Sequence, residues 1–288
     1  MNLVCIDGEF VPAAEAKISV WDHGYLYGDG LFETMRAYQG NVFAVKEHLA
    51  RLRRGAEMLQ LKISQTDEKL NSLLHETIER NGLSEAYIRL TYSRGPGPIG
   101  IDPALCPRGT LVIMAKALEL PEKLYRQGTS LGICPIRRNH SSALPPAMKS
   151  LNFLNNIIAK IWAKEHGHAE ALLLTQEGWI AETTVSNIFF IINEEVFTPS
   201  LDVGILPGIT KAYVSKAITQ LNLSLQEGFY SLNELFEAEE IFLTNSGNEI
   251  VPVTTLDGKV VGTGLPGRLT QVIHDRFKDI VLTSLKLN

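Results

Sequence analysis

Cysteine is scarce in this chain and poorly spaced for a structural purpose. Among 288 residues only Cys5, Cys106 and Cys134 occur. Odd in number, far apart and without a CxxC pair, they argue against a disulfide framework or a thiolate metal site and read as reduced thiols; no metal is expected. No apolar run approaches the roughly 20 residues that span a bilayer, so no membrane partner is expected. The opening "MNLVCIDGEFVP" has neither a basic n-region nor a long apolar h-region, so a cytoplasmic location is expected. Positive charge is not in excess either. The net charge of −5 offers no general attraction to nucleic acid, and the run "RLRR" (Arg51, Arg53, Arg54) is too short and isolated to alter that. Internal repeats and low-complexity segments are also missing. What remains is ordinary for a globular protein: 45% hydrophobic and 20% charged residues, in a chain long enough to bury a core as one large domain or two.

The first forty residues read as short strands and turns, with Asp7-Gly8 and Gln39-Gly40 as turn dipeptides between apolar runs. Leu49, Leu52, Ala56 and Leu59 recur at helical spacing between Val45 and Leu61. "TDEKLNSLLHETIERNG" predicts a second helix with an acidic first turn and a stop at Gly82. "EAYIRLTYSRG" and "GTLVIMAKAL" predict strands, which makes residues 1–120 a small α/β domain. "ELPEKLYRQGT" reads as part of a connector over 121–132. Strands such as "EALLLTQEG", "SNIFFIINEEVFTP" and "EEIFLTNS" then outnumber helices, so residues 133–288 form a larger, β-rich α/β domain.

Several residues stand out chemically. In "ALPPAMKSLNFLNN", Lys149 has no acidic residue within several positions. Such a lysine either snorkels its charge to water over apolar neighbours or is desolvated enough to serve as a nucleophile. Glu182, in "EGWIAETTVSNIFFI", is a surface carboxylate or the acidic partner of a ring nitrogen. Asn187 heads an apolar strand, where its amide needs internal partners. Gly204 and Pro207-Gly208 turn the chain into a helix starting near Ile209 and Thr210, a turn or an anion site. Asn245, Ser246 and Gly247 close a strand in a loop able to meet a phosphate or carboxylate. Arg51, three residues after His48, belongs to a solvated basic face or forks onto phosphate.

Taken in order, "GDGLFETMRAY", "HLARL", "MKSLNFLNN", "AETTVSNIF", "LPGIT" and "TNSGNEIVPV" resemble the class IV aminotransferase family, the pyridoxal-phosphate enzymes of fold type IV. The resemblance covers nearly the whole chain. It implies an enzyme of two α/β domains with pyridoxal 5'-phosphate in the interdomain cleft, acting on an amine or amino acid as a homodimer. It makes Lys149 the Schiff-base lysine and acid/base catalyst, and pairs Glu182 with the pyridine nitrogen. Arg51, the amides of Ile209 and Thr210, and Ser246 are implied to hold the phosphate. Tyr25, Thr34, Tyr87, Arg89, Asn245 and Gly247 are implied at the substrate.

Family members include branched-chain and D-amino-acid aminotransferases and 4-amino-4-deoxychorismate lyases. Thr34, "SLDVGIL" and "TNSGNE" look more like the lyases, whereas "AYIRL" and "DGKVVGTGLPGRLT" resemble the branched-chain enzymes. The loop "GPGPIGIDPAL" lacks the Arg-x-His pair of the D-amino-acid enzymes, and Phe153 stands where branched-chain enzymes commonly carry tyrosine. The expectation from sequence puts the lyase first, converting aminodeoxychorismate to 4-aminobenzoate and pyruvate. A transaminase working between a branched-chain L-amino acid or a D-amino acid and a 2-oxo acid such as 2-oxoglutarate is the alternative.

Overall fold

The chain folds into two α/β units. The computed structural model describes residues 2–286; residues 1 and 287–288 of the expected domain ranges lie outside the described residues. One unit holds the chain up to Glu119 together with Met148–Asn152, and the other holds Leu120–Ala147 and the chain from Phe153 onward. The boundaries differ from the expected ones in two ways. The stretch 121–132 is no bare connector, since it carries helix Glu122–Gln127 and most of strand Thr129–Ile133. And the segment around Lys149 groups with the first unit, apart from its neighbours in sequence.

In the first unit, strands Leu3–Ile6 (β1), Glu9–Pro12 (β2), Gly30–Tyr38 (β3), Asn41–Val42 (β4), Ala86–Ser93 (β5) and Thr110–Ala117 (β6) form one antiparallel sheet in the order β2-β1-β6-β5-β3-β4. Asp7 (φ 52°) and Gly8 (φ 96°) join β1 to β2, and Gln39 (φ 51°) and Gly40 (φ 78°) join β3 to β4. Paired positive φ values are what a two-residue hairpin turn requires. Besides the short helix His23–Tyr27 (α1), two longer helices, Val45–Met58 (α2) and Asp67–Arg80 (α3), pack on this sheet. Thr66 caps α3 by accepting from the Lys69 amide, and Asp67 and Glu68 face the positive end of its dipole. The buried Leu70, Leu73, Leu74 and Ile78 of α3 join Leu49, Leu52 and Ala56 of α2 in one core with Met35, Ile88, Leu90 and Ile113 of the sheet.

The second unit contains helices Glu122–Gln127 (α4), Leu154–Glu165 (α5), Ile209–Gln220 (α6), Leu232–Phe236 (α7) and Arg268–Lys286 (α8). Its strands are Thr129–Ile133 (β7), Glu170–Leu174 (β8), Ile180–Thr183 (β9), Asn187–Ile192 (β10), Glu195–Pro199 (β11), Leu225–Gly228 (β12), Glu240–Asn245 (β13), Glu249–Leu256 (β14) and Lys259–Val260 (β15). They form a mixed 9-stranded sheet ordered β12-β11-β10-β13-β14-β7-β8-β9, with β15 on β14. Ile188, Phe189, Phe190 and Ile191 of β10 are all buried, so both faces of that strand are covered. Phe190 joins a core with Leu243, Val253 and Leu172, while Phe189 stacks on Phe242 at 5.0 Å between centroids. The sheet curls enough that edge strand β9 comes back against β10 and β11. No helix among the described residues is long and apolar enough to cross a membrane.

The close approach of α2 to the Lys149 segment depends on Gly55, where an added Cβ would lie 2.5 Å from the Met148 carbonyl oxygen. A helical Gly→Ala change ordinarily gains up to about 1 kcal/mol. Here a backbone atom must give way, and overpacking of this kind costs about 1–3 kcal/mol. Gly55→Ala should therefore lower the denaturant midpoint; a raised midpoint would show that this approach is not tight.

Candidate active site

Strand alternation divides the first unit's functional residues between two faces. On β3, Leu31, Glu33 and Met35 point to the helix-covered core, while Phe32 and Thr34 point the other way. Across the register, Thr34 stands opposite Arg89 and Phe32 opposite Thr91. The Arg89 guanidinium lies 3.9 Å from the Phe32 ring centroid, and the Lys149 ammonium 4.4 Å from the same ring. Thr34 Oγ1 and the Tyr87 hydroxyl are 3.4 Å apart. The structure thus brings Arg89 and Lys149 onto Phe32, with Thr34 and Tyr87 on the same face of the sheet; sequence reasoning did not single out Phe32. Tyr25, largely exposed on α1, makes none of these contacts.

Lys149 is held in an unusual backbone state. Its φ is +53°, which a residue with a side chain seldom adopts. The Phe32 amide donates to the Lys149 carbonyl at 3.2 Å, and the Leu151 amide to the Gly30 carbonyl at 2.9 Å. These two bonds flank Ser150, which bridges to Leu31, and clamp the segment to the start of β3.

On the core face, Arg51 donates from Nε and Nη2 to the two oxygens of Glu33 at 2.8 and 2.6 Å. His48 Nδ1 lies 2.7 Å from Glu33 Oε2. Burial alone would raise the Glu33 pKa, but Arg51 and His48 outweigh it and bring it down to about 2. Burial pushes His48 below its ordinary value, despite the opposing pull of Glu33. Two of the three Arg51 guanidinium nitrogens are therefore committed to Glu33. Sequence reasoning missed Glu33; its signal was an acid inside the apolar stretch "LFETM", which must meet a cation if buried.

The second unit assembles its own constellation around Asn187. Buried Glu182, on β9, accepts from Arg138 Nε at 2.8 Å and from the Leu206 amide at 3.1 Å, with Asn187 Nδ2 at 3.5 Å. Asn187 Nδ2 also donates to the Leu206 carbonyl at 3.0 Å. A Cβ on Gly208 would fall 2.0 Å from Asn187 Oδ1, so any other residue at the start of α6 must displace the Asn187 amide. Gly208 supplies no side-chain cap, and the amides of Ile209 and Thr210, both buried residues, find no acceptor among the described residues. Such a helix start suits an anion. Asn187 pairs across the sheet with Thr244, whose buried hydroxyl has no partner among the described residues, and the Asn245–Gly247 loop follows. Asn245 spends its side chain locally: Oδ1 accepts from the Gly247 and Asn248 amides, and Nδ2 donates to Ser186 Oγ. Arg138 was not foreseen, and nothing in "CPIRRNH" distinguishes it from a surface arginine.

The description "Amino-transferase class IV" belongs to the family model that matches residues 30–256. The chain belongs to the class IV aminotransferase family. A Methanocaldococcus jannaschii protein bearing the provisional name branched-chain-amino-acid aminotransferase is 40% identical over 277 residues, 96% of each chain. The aminodeoxychorismate lyase of Bacillus subtilis is 32% identical over 257 residues, covering 88% of this chain and 87% of that one. The solved structure of the T.th. branched-chain amino acid aminotransferase with pyridoxamine 5'-phosphate superposes with a TM-score of 0.92 at 30% identity, covering 97% of this chain and 94% of that one. This is an enzyme family, and its mixed α/β fold is the one seen here.

The buried Glu33 group makes acid stability a direct probe of this family member. Both Glu33 and His48 bind protons more weakly folded than unfolded, so their contribution is present at high pH and lost in acid. For His48 the loss begins below about 6.5, and for Glu33 it runs from about 4.5 toward 2. Glu33→Gln should cost about 3 kcal/mol or more at neutral pH, because Arg51 keeps a buried charge without its partner. It should also flatten the stability–pH curve below pH 5. A variant as acid-sensitive as the parent would show that other groups govern that slope.

Proposed function

We propose that this enzyme is a pyridoxal 5'-phosphate-dependent transaminase, moving an amino group between a branched-chain L-amino acid and a 2-oxo acid such as 2-oxoglutarate. The observation that carries the cofactor assignment is the uncapped start of α6, tied through Asn187 to buried Glu182. The residues present fit the group. The amides of Ile209 and Thr210 and the Ser246 hydroxyl would bind its phosphate, with Arg51 adding positive charge. Glu182 would hold a proton on the pyridine nitrogen. When bound, the cofactor supplies an electron sink for the charge that develops at the amine-bearing carbon. Lys149 would carry the cofactor, then take the proton from that carbon and return it. Arg89, Tyr87 and Thr34 would line the substrate side, on the sheet face where Phe32 meets Lys149.

The lyase expected first from sequence gives way to the alternative. Similarity to the branched-chain relative is higher and runs over more of both chains than similarity to the lyase. A homodimer is part of the proposal. Leu154, Ile157, Ile158 and Ile161 lie exposed at helical spacing on α5, an apolar stripe that a helix facing only water does not keep.

Purified holoenzyme should be given branched-chain L-amino acids with 2-oxoglutarate, D-amino acids with the same acceptor, and aminodeoxychorismate alone. The expected result is a kcat/KM for a branched-chain L-amino acid at least about a hundredfold above the others, or about 2.7 kcal/mol of differential transition-state binding. Equimolar 4-aminobenzoate and pyruvate formed without an acceptor, at the higher kcat/KM, would reinstate the lyase. Glu182→Gln should lower kcat about a hundredfold or more while retaining the phosphate-held cofactor. Near-normal turnover would remove Glu182 from the chemistry.

A further inference from the structure

A cavity of about 210 Å³ in the second unit is lined by none of the residues given a role in the proposed reaction. Arg138 forms part of its lining and is 9% exposed. Its Nε is taken by Glu182 and its Nη1 by Asn155 and Asn156, while among the described residues Nη2 finds no acceptor. That nitrogen is left able to donate to an anionic oxygen.

The rest of the lining rules against a simple anion. Glu177 and Asp202 also face this cavity and would repel inorganic phosphate or a dicarboxylate. Glu177 is held in its charged form, its pKa lowered chiefly by the Thr175 hydroxyl, and the His140 ring stands 3.9 Å from it. Trp179 and Phe229 meet edge to face at 6.0 Å, adding an apolar patch to the same lining. A ligand that satisfies all of these groups must be small and carry a carboxylate, an ammonium and an apolar body.

We propose that this cavity binds an α-amino acid as its zwitterion, with the carboxylate on Arg138 Nη2, the ammonium at Glu177 and Asp202, and the side chain against Trp179 and Phe229. The site is additional to the reaction site, and its existence does not depend on which reaction the enzyme performs. Because Arg138 also holds Glu182, occupancy is communicated to that carboxylate through a single side chain.

The test uses holoenzyme and N-methyl-L-leucine, a zwitterion whose secondary amine does not enter transamination. Titration calorimetry, with tryptophan fluorescence as a second readout, should show saturable binding. The double variant Glu177→Gln/Asp202→Asn, altered only at exposed positions, should bind at least tenfold more weakly with unchanged kcat/KM for transamination. 4-Methylvalerate, which lacks the ammonium, should be insensitive to the double substitution. Absence of saturable binding, or the same affinity for N-methyl-L-leucine in parent and variant, would overturn the proposal. A loss of 4-methylvalerate binding equal to that of the zwitterion would overturn the ammonium's role.

Discussion

Each unit of this protein buries a carboxylate against a guanidinium, and much of the local architecture follows from satisfying that pair. A buried carboxylate is tolerated only when a partner and further hydrogen bonds replace its water. Glu33 meets this condition with the Arg51 fork and His48, all fixed by the packing of α2 on β3. Glu182 meets it with Arg138, the Leu206 amide and Asn187. The second arrangement draws on both sides of edge strand β9: Arg138 is anchored by its amide to Leu174 of neighbouring β8, while Asn187 opens β10 across the tight turn in which Thr183 and Ser186 bond to each other. Asn187 then links that carboxylate to the turn that opens α6. Substituting a residue in either network disturbs a charge and the backbone that aims it.

Much of this was legible in the sequence wherever a local rule applied. The Asp7-Gly8 and Gln39-Gly40 turns, the capped helix Asp67–Arg80 and the apolar run of β10 each carry their signal within a few residues. So did the need for internal partners at Asn187. What escaped was long-range. Glu33 and Arg51 are 18 residues apart, and Glu182 and Arg138 are 44 apart; no pattern in one segment announces its partner in another. The grouping of Met148–Asn152 with the first unit was hidden for the same reason, since it rests on main-chain hydrogen bonds to Gly30 and Phe32.

The resemblance to lyases in short motifs also has a physical explanation. Asn245, in the lyase-like "TNSGNE", devotes its amide to holding its own loop and to Ser186. That stretch therefore reports how a turn is built more than what it binds. Thr34, another lyase-like feature, places its hydroxyl beside Tyr87. Similarity over the full chain averages over such local solutions.

On this account the strained lysine clamped to the start of β3 carries the cofactor, and chemical trapping tests that assignment most directly. Holoenzyme reduced with borohydride and mapped by peptide mass spectrometry should carry the phosphopyridoxyl group on Lys149 alone. A label on Lys46, Lys160 or Lys211 with Lys149 unmodified would contradict the account.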